Sequence, residues 1–391
     1  MPKKQKSAAD RVVALAGNAP RRRANVRELA RYAATSNCNM AVTGFAARVD
    51  FDQLLQGTAF AAPFGQSPFA FRRGNRFEEL LRRDEHAPIL ALLKENLSYD
   101  TTNAKVANLR EGQIRGKGGL AQRAAATGEL VKQILAGSRT APNLIDGAVF
   151  EREVGGVLAH FEADAVAARF AQPIHVGEIK SFPTIDGQAD PDKLGAAVAQ
   201  VSVYIVLLRA LVERVGGNPE IVSAEALLIT AKNTGLQPTL CVKPVGREVD
   251  RAARILDQAP TVDEVAASIP ESAPSFSSVA AGEEAARLDA LAKIADVVGT
   301  DYRPGCLASC GLSRFCRERA HHDGNPNRLG GQLVRLLPGI ASLDRAGELS
   351  RGAPPSSDET AVAEQLVRAA RLRDHLGLTR PLPVTTRGVG R

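Results

Sequence analysis

The stretch Val157-Leu158-Ala159-His160-Phe161-Glu162-Ala163-Asp164-Ala165-Val166-Ala167, followed by Ile174-His175-Val176-Gly177-Glu178-Ile179-Lys180-Ser181-Phe182, decides the fold. From residue 148 the hydrophobic period changes to two, which predicts strands over 149–153, 157–167 and 174–182. Gly155-Gly156 and Ala171-Gln172-Pro173 supply the turns between them. A long helix over 192–215 comes next, stopped by Gly216-Gly217. A second strand pair, 224–230 and 239–245, runs across Asn233-Thr234-Gly235. Strands on both sides of a long helix predict an α/β chain.

Glu178 and Lys180 lie two apart in a strand, so both project from one face of the sheet. Asp164 sits on the preceding strand of the hairpin, where it can approach Glu178. Two carboxylates at a sheet edge make a hard-oxygen pocket suited to Mg²⁺ or Mn²⁺. Such an ion polarises a phosphoryl oxygen and acidifies bound water, and a lysine beside it can orient that water or offset developing charge. Asp146 and Glu162 are rival acidic ligands to Asp164. In the helix that follows, Gln200 and Tyr204 are i and i+4 and share a face among Ala196, Ala197, Val201, Val203 and Ile205. A buried glutamine and tyrosine need polar partners, which the active-site strands or a nucleic-acid backbone could supply.

Three of the five cysteines fall within the eleven residues Cys306-Leu307-Ala308-Ser309-Cys310-Gly311-Leu312-Ser313-Arg314-Phe315-Cys316. Zinc modules place cysteines in close pairs on both sides of the site, and no second pair is nearby. The triplet reads as most of a four-thiolate site that takes its fourth ligand from elsewhere. Cys38, which follows a helix-like segment, fits that part better than Cys241. The latter lies in the strand-like Thr239-Leu240-Cys241-Val242-Lys243, where a cysteine behaves as a small hydrophobe. His321 and His322 leave a zinc site open as an alternative.

The motif order resembles the RecB-like branch of the PD-(D/E)XK nucleases: Asp164, then Glu178-Ile179-Lys180, then Gln200-x-x-x-Tyr204. The cysteine triplet is similar to that of iron–sulfur members of the branch, such as CRISPR-adaptation exonucleases. Many of those space the first pair by two residues, whereas this chain uses three. The resemblance covers roughly residues 35–320. It implies a restriction-endonuclease-like core, a mixed central sheet flanked by helices. Asp164, Glu178 and the Ile179 carbonyl would then hold Mg²⁺ or Mn²⁺, with Lys180 assisting the water. It also implies an acidic or histidine ligand from an upstream helix. Gly74-Asn75-Arg76-Phe77-Glu78 fits that element, with Glu78 in the ligand position, and His86 two turns on reads as an ordinary exposed histidine. A [4Fe–4S] cluster on Cys38, Cys306, Cys310 and Cys316 would staple the N- and C-terminal helical segments together. The implied activity is DNA cleavage in repair, CRISPR adaptation or phage defence, with other subunits of such a complex as further partners. Non-catalytic assembly subunits with the same fold, and zinc-stapled nucleases, are the competing readings.

Composition bounds these expectations. The chain has 391 residues, 44% of them hydrophobic, with no tryptophan and four tyrosines, so its core rests on aliphatic side chains. A net charge of +7 permits a polyanionic partner without demanding one. Arg72-Arg73, Arg82-Arg83 and the basic run from Arg110 to Lys117 are candidate phosphate contacts. An odd number of cysteines in a long chain argues against a disulfide framework. The most apolar run, 201–212, contains Tyr204 and Arg209 and is too short for a membrane span, so a cytoplasmic chain with reduced thiols is expected. The sequence divides into a basic, mobile segment over 1–24, a nuclease-like domain over 25–330, a loop and linker over 331–359, and a helix and tail over 360–391. Further helices are predicted near 25–33, 76–90, 120–135, 247–256, 283–298 and 360–376.

Overall fold

Among the described residues, seven strands join in one mixed sheet: β1 (Val106–Asn108), β2 (Leu144–Val154), β3 (Val157–Ala167), β4 (Ile174–Ile185), β5 (Gln188–Ala189), β6 (Val222–Lys232) and β7 (Pro238–Pro244). The computed structural model describes residues 7–22, 28, 31–32, 35, 38–61, 68–110, 119–154, 157–168, 173–270, 273–302, 306, 310–324 and 331–377. The order across the sheet is β1-β2-β3-β4-β6-β7, with β5 paired to the end of β4. Strands β2, β3 and β4 form an antiparallel meander, and β6 lies parallel to β4. A parallel neighbour needs a crossover, and the long helix between β4 and β6 provides it. The expected turn residues Gly155, Gly156, Ala171 and Gln172 lie outside the described residues.

Strand β2 starts at Leu144, five residues before the alternation begins. Leu144 and Ile145 are fully buried, so the first half of the strand is covered on both faces and carries no period of two. Asp146 is therefore a strand residue, placed opposite Ala165 of β3. The short β1 pairs parallel to this same stretch.

We number the helices used below in chain order: α1 (Ala8–Ala16), α2 (Asn39–Ala46), α3 (Pro68–Leu81), α4 (Arg83–Leu97), α5 (Gly119–Leu135), α6 (Pro191–Arg214), α7 (Gly246–Asp257), α8 (Val262–Ser268), α9 (Glu284–Val298), α10 (Ser313–His322), α11 (Gly331–Leu336), α12 (Leu343–Ser350) and α13 (Thr360–His375). Helices α5, α6 and α7 cover one face of the sheet, burying Val131, Val201, Ile205, Leu208 and Val249 against Phe150, Phe161 and Val176. Helices α3 and α4 cover the other, through Phe77, Leu81, Ile89 and Leu93 against Ala165, Ile179 and Ile229. Among the described residues, α6 is the one helix long and apolar enough to cross a membrane. Seventy-two per cent of its apolar window is buried inside the molecule, as its place on the sheet requires.

The helix expected over 76–90 is in fact two. Asp84, Glu85 and His86 all have positive φ (49°, 54° and 68°), a left-handed turn that breaks the run. Pro88 follows in the first turn of the renewed helix, where a missing N–H costs nothing.

Outside the sheet layers, α1, α2, α8, α9 and α10 share a second core around Met40, Leu54, Phe276, Leu291 and Phe315. This corrects the expectation of a mobile segment over 1–24. A capping box between Ser7 and Asp10 starts α1, and Val12, Leu15 and Ala16 are buried against the core. Residues 1–6, 23 and 24 lie outside the described residues. The segment 331–359 also differs from its linker-like composition. It contains α11 and α12, and Leu349 and Ile340 pack with Val362 and Ala363 of α13. Arg345 fastens this unit by pairing with Glu359 at 2.6 Å.

Candidate active site and thiol cavity

Asp164, Glu178 and Lys180 come together where β3 and β4 meet, with Tyr204 of α6 packed beneath them. Glu178 is buried, and its Oε1 lies 2.5 Å from Lys180 Nζ. The pairing of β4 with β6 shifts register between Lys180 and Pro183, so the strand is irregular just beyond the lysine. Asp164 Oδ2 accepts a hydrogen bond from the Ile179 backbone N–H at 2.9 Å. The Tyr204 hydroxyl donates to the Glu162 backbone carbonyl. Its pKa is raised well above the ordinary tyrosine value, first by burial and then by the charges of Glu178, Asp164 and Glu162. Gln200, one turn earlier on α6, is buried too.

A guanidinium stands among these acids. Arg110, just beyond β1, donates to Asp146 Oδ1 and Asp164 Oδ1, both at 2.9 Å, and pairs with Glu162 Oε1. Arg123 of α5 takes the other oxygen of Glu162 at 2.8 Å and donates to the Gly147 carbonyl. Gly147 has φ +73°, and its missing side chain leaves the space these arginines fill. A Cβ there would lie 2.5 Å from Arg110 Cγ and 2.6 Å from Arg123 Nη2.

Asp146 is the most deeply held of the rival acids, its side chain only 3% exposed. Besides Arg110, it accepts from Arg82 Nε and bonds His86 Nε2, each at 2.9 Å. Burial pushes its pKa up, but the His86 hydrogen bond and the charges of Arg110 and Arg82 outweigh that and hold the carboxyl at about 2. The expected exposed histidine is thus wrong: His86 is 4% exposed, and the left-handed turn 84–86 brings it to Asp146. Glu78 lies one step further out. Its carboxylate pairs with Arg82 at 3.0 Å, and through Arg82 it is linked to Asp146.

Three of the residues read as phosphate contacts are engaged internally: Arg110 with the acids, Arg82 with Glu78 and Asp146, and Arg73 with the Ser181, Thr234 and Gly235 carbonyls. Lys117 lies outside the described residues. Neither spacing nor periodicity in the sequence ties Arg110 and Arg123 to the site. Their acidic partners lie 36 to 54 positions away along the chain.

The four candidate thiols meet elsewhere, in the helical core. Cys38, Cys306, Cys310 and Cys316 line one small cavity together with Met40, Tyr302 and Leu312. Cys38 occupies the N-cap of α2, and its sulfur accepts from the Asp301 N–H at 3.4 Å. Burial pushes the Cys310 thiol up to about 12, against a backbone hydrogen bond from Leu312 that lowers it. Cys316 is raised by burial and by the three neighbouring cysteines. Cys241 is exposed on β7, away from this group. His321 and His322 are exposed at the end of α10 and do not line the cavity. Residues 307–309, the unusual three-residue spacer, lie outside the described residues.

Among the described residues, no three His, Cys, Asp or Glu side chains are drawn together closely enough to hold a metal ion as they stand. In the acidic corner Arg110 stands between the carboxylates, and in the helical core the thiols border their cavity without closing on it. The donor types nevertheless match the two expected groups: hard carboxylate oxygens for Mg²⁺ or Mn²⁺, and four sulfurs, two with N–H donors directed at them, for an iron–sulfur cluster.

No known family model matches the chain, and neither does any curated protein. Among solved structures it is similar to that of SSO0001, with 14% identity over 50% of this chain and 89% of that one, at a TM-score of 0.17.

Proposed function

We propose that the chain is a metal-dependent deoxyribonuclease of the RecB-like PD-(D/E)XK type, carrying a structural [4Fe–4S] cluster. The observation that carries this reading is the gathering of Asp164, Glu178 and Lys180 over the buried Tyr204 hydroxyl. It occurs on a helix, three-strand meander, crossover helix and parallel strand, the order that the resemblance implies. Bound Mg²⁺ or Mn²⁺ would polarise the phosphoryl group and acidify water. Asp164 and Glu178 would hold the ion, and Lys180, fixed beside Glu178, would orient the water or offset charge on the phosphorus. Tyr204 props the β3 backbone at Glu162, next to Asp164. Cys38, Cys306, Cys310 and Cys316 would hold the cluster, which would join α2 to the segment leading into α10. DNA ends or single strands in repair, CRISPR adaptation or phage defence are the substrates, and other subunits of such a complex are the partners.

The test is cleavage of labelled single- and double-stranded DNA by anaerobically purified protein. Activity with Mn²⁺ or Mg²⁺ should vanish on chelation. Asp164→Asn, Glu178→Gln and Lys180→Ala should each abolish it while leaving the circular dichroism unchanged. Undiminished cutting by Glu178→Gln would remove the site assignment.

A further inference from the structure

Both oxygens of Asp164 are engaged: Oδ2 by the Ile179 amide, which the strand fixes, and Oδ1 by Arg110, a side chain rather than backbone and so the contact that rotation about side-chain bonds can release. The same guanidinium takes one oxygen each of Asp146 and Glu162. We infer that Arg110 is a resident counter-ion that holds the acidic corner together in the metal-free chain and yields Asp164 when a divalent cation arrives. The inference rests on the metal site proposed above.

Three observations carry it. First, Arg110 is the side chain that touches Asp146, Glu162 and Asp164 at once. Like charges this close repel strongly at reduced dielectric, so the corner needs a cation at its centre in either state. Second, the charges come into balance on exchange. Glu78, Asp146, Glu162, Asp164 and Glu178 face Arg82, Arg110, Arg123 and Lys180, and replacing the single charge of Arg110 by a dication offsets the remaining excess. Third, the position is built: Gly147, at positive φ, leaves the space through which the arginine side chain reaches the acids. Arg82 and Arg123 stay with Asp146 and Glu162 throughout, so the exchange need not unravel the corner.

The experiment is calorimetric titration of the metal-free protein with Mn²⁺ alone, paired with melting curves with and without the ion. Wild type, Arg110→Gln, Arg110→Lys and Glu178→Ala are compared. Wild type should bind Mn²⁺ and Glu178→Ala should not. Arg110→Gln should bind about tenfold more tightly or better, because the ion no longer breaks charge-assisted hydrogen bonds. Its melting temperature should fall without metal and rise on Mn²⁺ addition by more than that of wild type. Arg110→Lys, a smaller cation, should lie between. Equal or weaker Mn²⁺ binding by Arg110→Gln overturns the inference and leaves the metal site intact, whereas a wild type that binds no Mn²⁺ removes both. If Arg110→Gln folds only when Mn²⁺ is present, the ion has replaced the arginine as inferred. If it fails to fold even then, Arg110 is a permanent staple and the inference falls.

Discussion

Replacing Gly147 by alanine isolates the hold that Arg110 has on the acidic corner. Two costs add. A non-glycine residue at φ +73° pays about 1–2 kcal/mol in backbone strain. The new Cβ also meets Arg110 Cγ at 2.5 Å, near the root of the side chain, so the arginine has to move rather than flex at its tip. Losing even one of its hydrogen bonds to Asp146 or Asp164 costs about 1.5–3 kcal/mol. The expected loss is therefore about 3–4 kcal/mol. Gly137 provides the control. It also has positive φ, +63°, but nothing lies within 4 Å of its would-be Cβ, so Gly137→Ala should cost only the strain. Urea unfolding followed by circular dichroism measures both. The difference of about 2 kcal/mol should shrink when Gly147→Ala is made in an Arg110→Ala background, since the clash is then gone. Equal losses from the two glycine variants, or no coupling with Arg110, would refute the reasoning.

The remaining predictions concern the cysteines and pH. Anaerobic protein should be brown and contain iron and sulfide. Cys38→Ala, Cys306→Ala, Cys310→Ala and Cys316→Ala should each bleach it, whereas Cys241→Ala, exposed on β7, should keep the colour. A colourless preparation holding one equivalent of zinc would defeat the iron–sulfur assignment and spare the nuclease one. Asp146, held at about 2, stabilises the fold above the ordinary carboxylate range near 3.9 and loses that contribution as pH falls through its folded value. Wild type should therefore lose about 2 kcal/mol from this group between pH 5 and pH 2. Asp146→Asn should be less stable at neutral pH and show a flatter acid limb in urea titrations. An unchanged acid limb would show that the Asp146 cage does not govern acid unfolding.

Much of the sheet is legible because its signals are local. The alternation over 157–167 and 174–182, the apolar helix 192–215 and the turn at Asn233 each announce themselves within a dozen residues, and the structure places them within a few positions of the expectation. Where burial is complete the period disappears, which hides Leu144 and Ile145 at the start of β2, whereas β1 is half-buried and, at three residues, too short to show a period. The helix α1 was hidden by basic neighbours, although Ser7 and Asp10 carry its capping box in plain view. In the site, Asp164, Glu178 and Lys180 stand two positions apart or across a hairpin, a spacing a sequence can express. His86 reaches Asp146 only because three non-glycine residues adopt left-handed geometry, and no composition rule anticipates that. Arg110 looked like one more base in a glycine-rich loop until tertiary structure set it among three acids.

The helical core around the thiol cavity has an unusual history along the chain. Its two contributions, residues 12–55 and 265–315, are separated by the whole of the sheet. At a synthesis rate of about 5–20 residues per second, roughly 10–40 s pass between the emergence of Leu55 and that of Val265. Throughout that interval Val12, Met40, Leu54 and Leu55 have no partner from the later half, while β1 to β7 emerge one after another and can begin to pair. The core that would house the cluster thus closes only after the sheet's strands have emerged, and its early half waits exposed to chaperones and proteases in the meantime.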